Sequence, residues 1–132
     1  MLEIQEKFDV TGYEDIISSA GNCADVHITE AMDKGRAVGF IAYAYETDRT
    51  VVYACDDGGD LMLCDGLVRS VMFKSVLKGI ETMVFEMSGG HENLRKLRFI
   101  TGESNVCEDL NSFMNGCSSC RNNPDNNTRK ET

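Results

Sequence analysis

The stretch with the clearest chemical potential lies near the middle of the chain, where residues 50–86 contain a Gly-rich junction. The pattern is a strand, a turn with Gly58 and Gly59, an amphipathic helix and a second strand. In such a βαβ unit the first strand leads into a helix N-terminus, where free N–H groups and the helix dipole favour phosphate. Residues 58–66 are therefore a candidate phosphate or coenzyme site, and a purely structural strand-to-helix connection is the alternative.

Cysteine provides the second candidate. Cys117-Ser-Ser-Cys120 is a Cys-x-x-Cys turn, which can present two thiolates to one metal ion or form a redox pair. A zinc site needs further ligands, and the chain has no second Cys-x-x-Cys, so zinc is not expected. Two thiols at a structural turn are the alternative. Cys64, close to the predicted helix N-terminus, fits a small core residue better than a reactive thiolate.

Composition limits the partners. The 132 residues include 22 acidic and 13 basic side chains, a formal net charge of -9. Nucleic acids and anionic membranes need a basic surface, so neither is expected as a partner, whereas a small molecule is. The N-terminus lacks a signal-peptide pattern and no apolar run approaches about 20 residues, which together predict a cytoplasmic protein. In that compartment thiols stay reduced, so disulfides are not expected.

The elements that would position these residues follow from periodicity and turn residues. A capping box, Thr11 with Glu14, predicts a helix that runs to about Ala20. Strands are predicted over residues 25–32, 36–46 and 50–55, forming an antiparallel meander. The central helix follows the turn 56–60 and ends at Lys78-Gly79. Its apolar positions share one face, and Arg69, Lys74 and Lys78 lie mostly off it.

Beyond the central helix, an apolar run over residues 82–87 predicts a buried strand, of the kind that parallel sheets contain. A short helix over 91–96, a short strand over 97–101 and a last helix over 106–115 complete the domain, with Asn105 and Glu108 as capping residues. Residues 121–132 are polar and predict a disordered tail.

This order of elements resembles the GNAT family of acyl-CoA-dependent N-acetyltransferases over residues 8–101. Three patterns carry the resemblance: the helix end Lys78-Gly79-Ile80, the strand of residues 82–86, and Leu94-Arg-Lys-Leu-Arg-Phe99, which is similar to the family's Tyr-x-x-Leu-Gly-Phe. The resemblance implies a single α+β domain over residues 1–120. Its mixed, mostly antiparallel sheet would be flanked by helices, with a helix at the C-terminal end.

The resemblance also implies a site. The pyrophosphate of acetyl-CoA or another acyl-CoA would bind at N–H groups near the start of the central helix, and pantetheine would run between strands 50–55 and 82–87. The residues nominated for coenzyme binding are Met62, Leu63, Cys64, Asp65 and Gly66. A carboxylate near the divergence of these strands would deprotonate a small amine. The candidates for this base are Asp56, Asp57 and Glu86, for which solvated turn acids are the alternative.

The chain departs from the family at its motif positions. The coenzyme loop pattern is Arg/Gln-x-x-Gly-x-Gly/Ala, and here Gly59, Met62 and Cys64 occupy the three specified positions. Leu94 replaces the tyrosine that often serves as general acid, and Arg98 replaces the next glycine. Three functions therefore stay open: an N-acyltransferase, an inactive GNAT-like module for binding or homodimerisation, and a metal or thiol sensor at Cys117 and Cys120.

Overall fold

A six-stranded sheet with its strands in sequence order forms the framework of the protein. The computed structural model describes residues 2–8, 11–19, 25–87 and 89–115. Its elements are β1 (Leu2–Lys7), α1 (Glu14–Ser19), β2 (His27–Asp33), β3 (Arg36–Tyr45), β4 (Thr50–Asp56), α2 (Leu61–Leu77), β5 (Thr82–Phe85), α3 (His91–Lys96), β6 (Val106–Glu108) and α4 (Leu110–Asn115). Among the described strands, only β4 and β5 pair in parallel. The predicted α+β class, with a mixed and mostly antiparallel sheet, is confirmed.

Tight turns produce the antiparallel meander of β2, β3 and β4. Lys34 and Gly35 join β2 to β3 with positive φ values of 55° and 80°, the backbone that a two-residue hairpin requires. Between β3 and β4, the Glu46 N–H donates to the Arg49 carbonyl over 2.8 Å. Both predicted hairpins are therefore present, and they align the three strands that border the site.

The main core lies between α2 and one face of the sheet. Buried residues of the helix, among them Leu67, Val68 and Met72, pack against Ile41 and Phe85 of the strands. A buried polar pair also joins the layers: the hydroxyl oxygens of Thr50 and Ser75 lie 2.6 Å apart, and Ser75 donates to the Val71 carbonyl over 2.9 Å. Because both hydroxyls have partners, their burial is not penalised by lost hydrogen bonds.

Two local predictions were wrong, and one strand was missed. Strand β1 was not predicted; it pairs with β2 along its length and directs Ile4 toward the core. Residues 97–101 form turns because Arg98 adopts a φ of +68°, which a strand does not allow. Residues 106–108 form β6 against β5, and the last helix begins only at Leu110, after Asp109 with a φ of +57°.

The N-terminus of α1 also differs from its prediction. Helix α1 begins at Glu14, two residues later than a cap at Thr11 predicts, and the Glu14 carboxylate accepts from the Gly12 N–H over 2.9 Å. The predicted domain boundary at residue 120, the tail 121–132 and the pair Cys117 and Cys120 lie outside the described residues, so these predictions stay untested.

Candidate active site

Strands β4 and β5 pair over only three residues and then separate. The parallel register ends at Val52 and Phe85, with the Glu86 N–H donating to the Val52 carbonyl over 2.8 Å. Strand β4 continues to Asp56 along β3 alone. A bulge at Tyr53, where the β3–β4 register shifts, increases the local twist of β4 at the point of separation. The sheet therefore has an opening between the last residues of β4 and the residues that follow β5.

Hydrogen bonds on the far side of β5 fix the end of this strand. The Phe85 N–H donates to the Asn105 carbonyl over 2.8 Å, and the Asn105 side-chain amide donates to the Phe85 carbonyl over 3.1 Å. Both backbone groups of Phe85 thus bond away from β4. The loop before β6 therefore fixes the position of the β5 end.

The loop between β4 and α2 satisfies its own backbone donors with carboxylates. Gly58 N–H donates to Asp56 over 3.1 Å, and Gly59 N–H donates to Asp57 over 2.8 Å. At the helix N-terminus Asp60 Oδ1 accepts from Met62 over 2.9 Å and, more weakly, from the next residue. Asp60 is the N-cap, a residue type that suits this position.

The residues nominated for coenzyme binding occupy this helix start, and their side chains have different environments. Met62 is 80% exposed, whereas Leu63 and Cys64 are buried in the core. Asp65 accepts from Arg69 over 2.8 Å, and Gly66 lies beside Ile4. The Cys64 N–H donates to the Asp60 carbonyl over 3.0 Å. An external anion at this terminus would therefore compete with the Asp60 carboxylate for its N–H donors.

Asp57 serves as an anchor between loops. Its carboxylate accepts from the Asn93 amide over 2.9 Å, as well as from the Gly59 N–H. Burial by itself would raise the pKa of Asp57, but the hydrogen bonds from Asn93 and Gly59 outweigh burial and lower it. A carboxylate held so firmly in its ionised form is a weak proton acceptor, so its geometry suits positioning of the loop better than base catalysis.

The surroundings of Cys64 favour its neutral form, whereas those of Asp57 favour the charged form. A hydrogen bond with Cys55 is the largest cause that raises the pKa of the Cys64 thiol, followed by burial and by the Asp57 carboxylate. The thiol is only 1% exposed. Cys64 is therefore a neutral core residue at neutral pH, as favoured from the sequence.

The three candidate bases are not brought together. Asp56 borders a cavity of about 450 Å³, which lies beneath the start of α1. Glu86 borders a different cavity of about 270 Å³, with His91, Arg95 and Asn105. Asp57 is among the lining residues of neither. Of the three, Asp56 has the position from which a base could contact a ligand in the larger cavity.

Besides Asp56, the larger cavity is lined by functional candidates that the sequence did not identify: Tyr13, Glu30 and Phe40. Glu30, Phe40 and Asp56 form one cross-strand row on β2, β3 and β4, since Glu30 pairs with Phe40 and Phe40 with Asp56. Tyr13 covers the row, with its ring 4.8 Å from that of Phe40 and its hydroxyl donating to Glu30. Burial is the largest cause that raises the pKa of Tyr13, so its hydroxyl stays protonated. The row could have been predicted only from the pairing register of β2, β3 and β4.

Neither a metal centre nor a membrane span is found in the described part of the chain. Among residues 2–8, 11–19, 25–87 and 89–115, no group of three or more His, Cys, Asp or Glu side chains could hold a metal ion. No helix in these ranges is long and apolar enough to cross a bilayer.

Comparison with known proteins rests on structure alone. No protein-family model matches the sequence, and no curated protein matches it either. A putative GNAT family acetyltransferase from Desulfovibrio desulfuricans matches with a TM-score of 0.53 and 13% identity, covering 74% of this chain and 81% of that one. An acetyltransferase from Streptococcus agalactiae matches with a TM-score of 0.52 and 12% identity, covering 80% and 94%.

A GNAT family acetyltransferase from Elizabethkingia anophelis, solved with acetyl-CoA bound, has a TM-score of 0.48 and 13% identity. That match covers 64% of this chain and 63% of the other, so the present chain spans less than two thirds of that protein. The two matches with TM-scores above 0.5 extend over most of both chains. The chain therefore has the GNAT fold.

Proposed function

We propose that this protein is an acyl-CoA-dependent N-acyltransferase that acts on an amine. The observation that carries the proposal is the opening between β4 and β5: pairing ends at Val52 and Phe85, while β4 continues to Asp56, which lines the larger cavity. Proteins of the same fold described as acetyltransferases support it by analogy. The acyl donor and the amine acceptor would approach each other at the end of β4.

The opening fits the pantetheine arm of a coenzyme. Beyond Val52, no described residue of β5 pairs with β4, so backbone groups at the end of β4 face the opening. The amides of an extended arm can hydrogen-bond to such a strand edge, as an added strand does. Acyl-CoA, when bound, would supply an acyl group activated as a thioester.

The pyrophosphate of the coenzyme can bind at the start of α2 only if the Asp60 side chain moves away. The N–H groups of Met62 and Leu63 point at an anion already, and that anion is the Asp60 carboxylate. Rotation of the Asp60 side chain would free both donors for a phosphate. We expect this competition to make coenzyme binding weak.

Asp56 is the residue to which we assign the proton transfer. An amine enters as an ammonium ion and must lose a proton before its nitrogen can attack a carbonyl carbon. Asp56 lines the cavity and keeps one carboxylate oxygen beyond its bond to Gly58. Tyr13 stays protonated and donates to Glu30, so it would orient the ligand instead of accepting the proton.

Calorimetric titration with acetyl-CoA tests the proposal through Asp60→Asn. Asparagine caps helices as well as aspartate, so the fold should persist, while loss of the charge should strengthen coenzyme binding by about three- to tenfold. Asp48→Asn, at the opposite end of β4 in the Glu46–Arg49 turn, is the matched control and should change little. Absence of binding heat in both the parent and Asp60→Asn, at millimolar acetyl-CoA, would reject the proposal.

The second candidate is a GNAT-like binding module without catalysis. The specific observation that favours it is the self-satisfied loop, in which Asp56, Asp57 and Asp60 occupy backbone donors that a pyrophosphate would use. Acetyl transfer to any amine, lost in Asp56→Asn but retained in Asp48→Asn, would exclude this candidate.

A further inference from the structure

The cavity beneath α1 combines two carboxylates with an aromatic surface. Glu30 and Asp56 stand on either side of Phe40 in the same cross-strand row, and Tyr13 packs over that row. All four residues line one cavity of about 450 Å³. The volume suits a small organic ligand.

The carboxylates lack cationic partners within the described residues. Neither Glu30 nor Asp56 forms an ion pair with any residue in these ranges, although Lys7 lines the same cavity. Glu30 accepts from Tyr13 and Asp56 accepts from Gly58, so each keeps a carboxylate oxygen for another donor. The two negative charges therefore favour a ligand that brings positive charge.

The spacing of the carboxylates indicates two positive charges on that ligand. Glu30 and Asp56 lie two strands apart, which places their Cα atoms about 10 Å from each other, since neighbouring strands are about 4.8 Å apart. After one charge-assisted hydrogen bond of about 2.8 Å at each end, about 4.4 Å remains between the two nitrogens, a distance that about two to four methylenes can span. Phe40 lies between the carboxylates and Tyr13 packs against it, so this part of the cavity offers aromatic surface on which methylenes and ammonium groups both pack favourably.

We infer that this cavity binds an aliphatic diamine, with one ammonium group at Glu30 and the other at Asp56. The assignment of the diamine as the acyl acceptor rests on the proposed function, because only an acyltransferase would bind an acyl donor as well. The ammonium at Asp56 would lose one proton to that carboxylate, and its nitrogen would form a bond to the acyl carbon as the thioester C–S bond breaks. The second nitrogen proton would go to the departing CoA sulfur, which leaves as a thiol. The ammonium at Glu30 would hold the ligand in place.

Calorimetry without coenzyme tests the binding step. We expect diaminobutane to bind about five- to tenfold more tightly than butylamine, because the second ammonium binds intramolecularly. Equal affinities for diaminobutane and butylamine would overturn the two-point arrangement, and no binding of either amine would overturn the site.

Variants that replace a carboxylate with an amide test whether Glu30 and Asp56 bind the diamine. Glu30→Gln and Asp56→Asn should each reduce diaminobutane affinity to that of butylamine, with melting temperatures measured in parallel to verify folding. Asp48→Asn, which also removes one negative charge, should leave affinity within about twofold because distant charges are screened. A loss in Asp48→Asn equal to that in Glu30→Gln would show nonspecific attraction and overturn the inference.

Diamine binding and acetyl-CoA binding are measured separately, so either proposal can fail without the other. Acetyl-CoA binding without diamine binding would leave the acyltransferase proposal standing and reject the diamine. Diamine binding without acetyl-CoA binding would support this site and reject its use in acyl transfer.

Discussion

A half-buried lysine on α2 shows how single side chains connect the first strand to the core. Lys74 Nζ lies 3.1 Å from Glu6 Oε1, 3.4 Å from the Thr29 hydroxyl and 3.3 Å from the Tyr43 hydroxyl. Thr29 and Tyr43 are fully buried, and His27 lies 3.5 Å from the other Glu6 oxygen. Partial burial strengthens such a network and makes its disruption costly.

We predict that Glu6→Gln lowers stability at neutral pH but not in acid. Burial would raise the pKa of Glu6, but the hydrogen bond and charge of Lys74, followed by His27, lower it overall. A carboxyl with a lowered folded-state pKa stabilises the protein above its unfolded pKa and loses that contribution as pH falls through the folded value. The variant should be less stable by about 1 kcal/mol at pH 7, with the gap closing below about pH 4.5.

Urea unfolding at several pH values measures this gap, with Glu3→Gln as the control. Glu3 lies on the same strand, is exposed, and points to the opposite sheet face. Its replacement should give curves parallel to those of the parent. A constant difference between the parent and Glu6→Gln from pH 7 to pH 3 would contradict the assignment to the Lys74 network.

At the scale of elements, one glycine controls how closely α2 approaches the end of β4. A Cβ at Gly39 would lie 2.6 Å from the Asp56 carbonyl oxygen and 2.9 Å from Leu63. The first of these atoms belongs to the backbone, so relief requires movement of β4 itself. Because Asp56 borders the larger cavity, this contact affects the geometry of the cavity as well as packing.

Two glycine-to-alanine variants should therefore have opposite effects. Gly39→Ala should destabilise the protein by about 1–3 kcal/mol through overpacking. Gly66→Ala, inside α2, would place its Cβ 3.8 Å from Ile4, an ordinary contact. That variant should be stabilised by about 0.5–1 kcal/mol because alanine favours the helix. Thermal unfolding measures both, and a Gly39→Ala variant as stable as the parent would refute the close contact.

The sequence predicted elements better than their registers. Apolar runs and hairpin turns located β2, β3, β4, α2 and β5, whose patterns are local. The row of Glu30, Phe40 and Asp56 depends on register shifts beside Val38 and Tyr53. A one-residue shift moves side chains to the other face, and neither shift has a local sequence signal. Strands β1 and β6 were missed for a related reason, since distant partners stabilise them.

At the scale of the whole molecule, the net charge of -9 acts on every ligand that approaches. An acidic protein attracts a cationic amine and repels an anionic coenzyme, and salt screens both effects. The two proposed ligands should therefore respond to ionic strength in opposite directions.

We predict that raising NaCl from about 20 mM to about 300 mM weakens diaminobutane binding and strengthens CoA binding, because the Debye length shortens about fourfold. Pantetheine, the uncharged arm of the coenzyme, is the control and should bind with nearly constant affinity. Calorimetric dissociation constants at four salt concentrations would measure the three slopes on the same protein. Slopes of the same sign for diaminobutane and CoA would contradict the charge argument, since a general effect of salt on the fold would change both affinities alike.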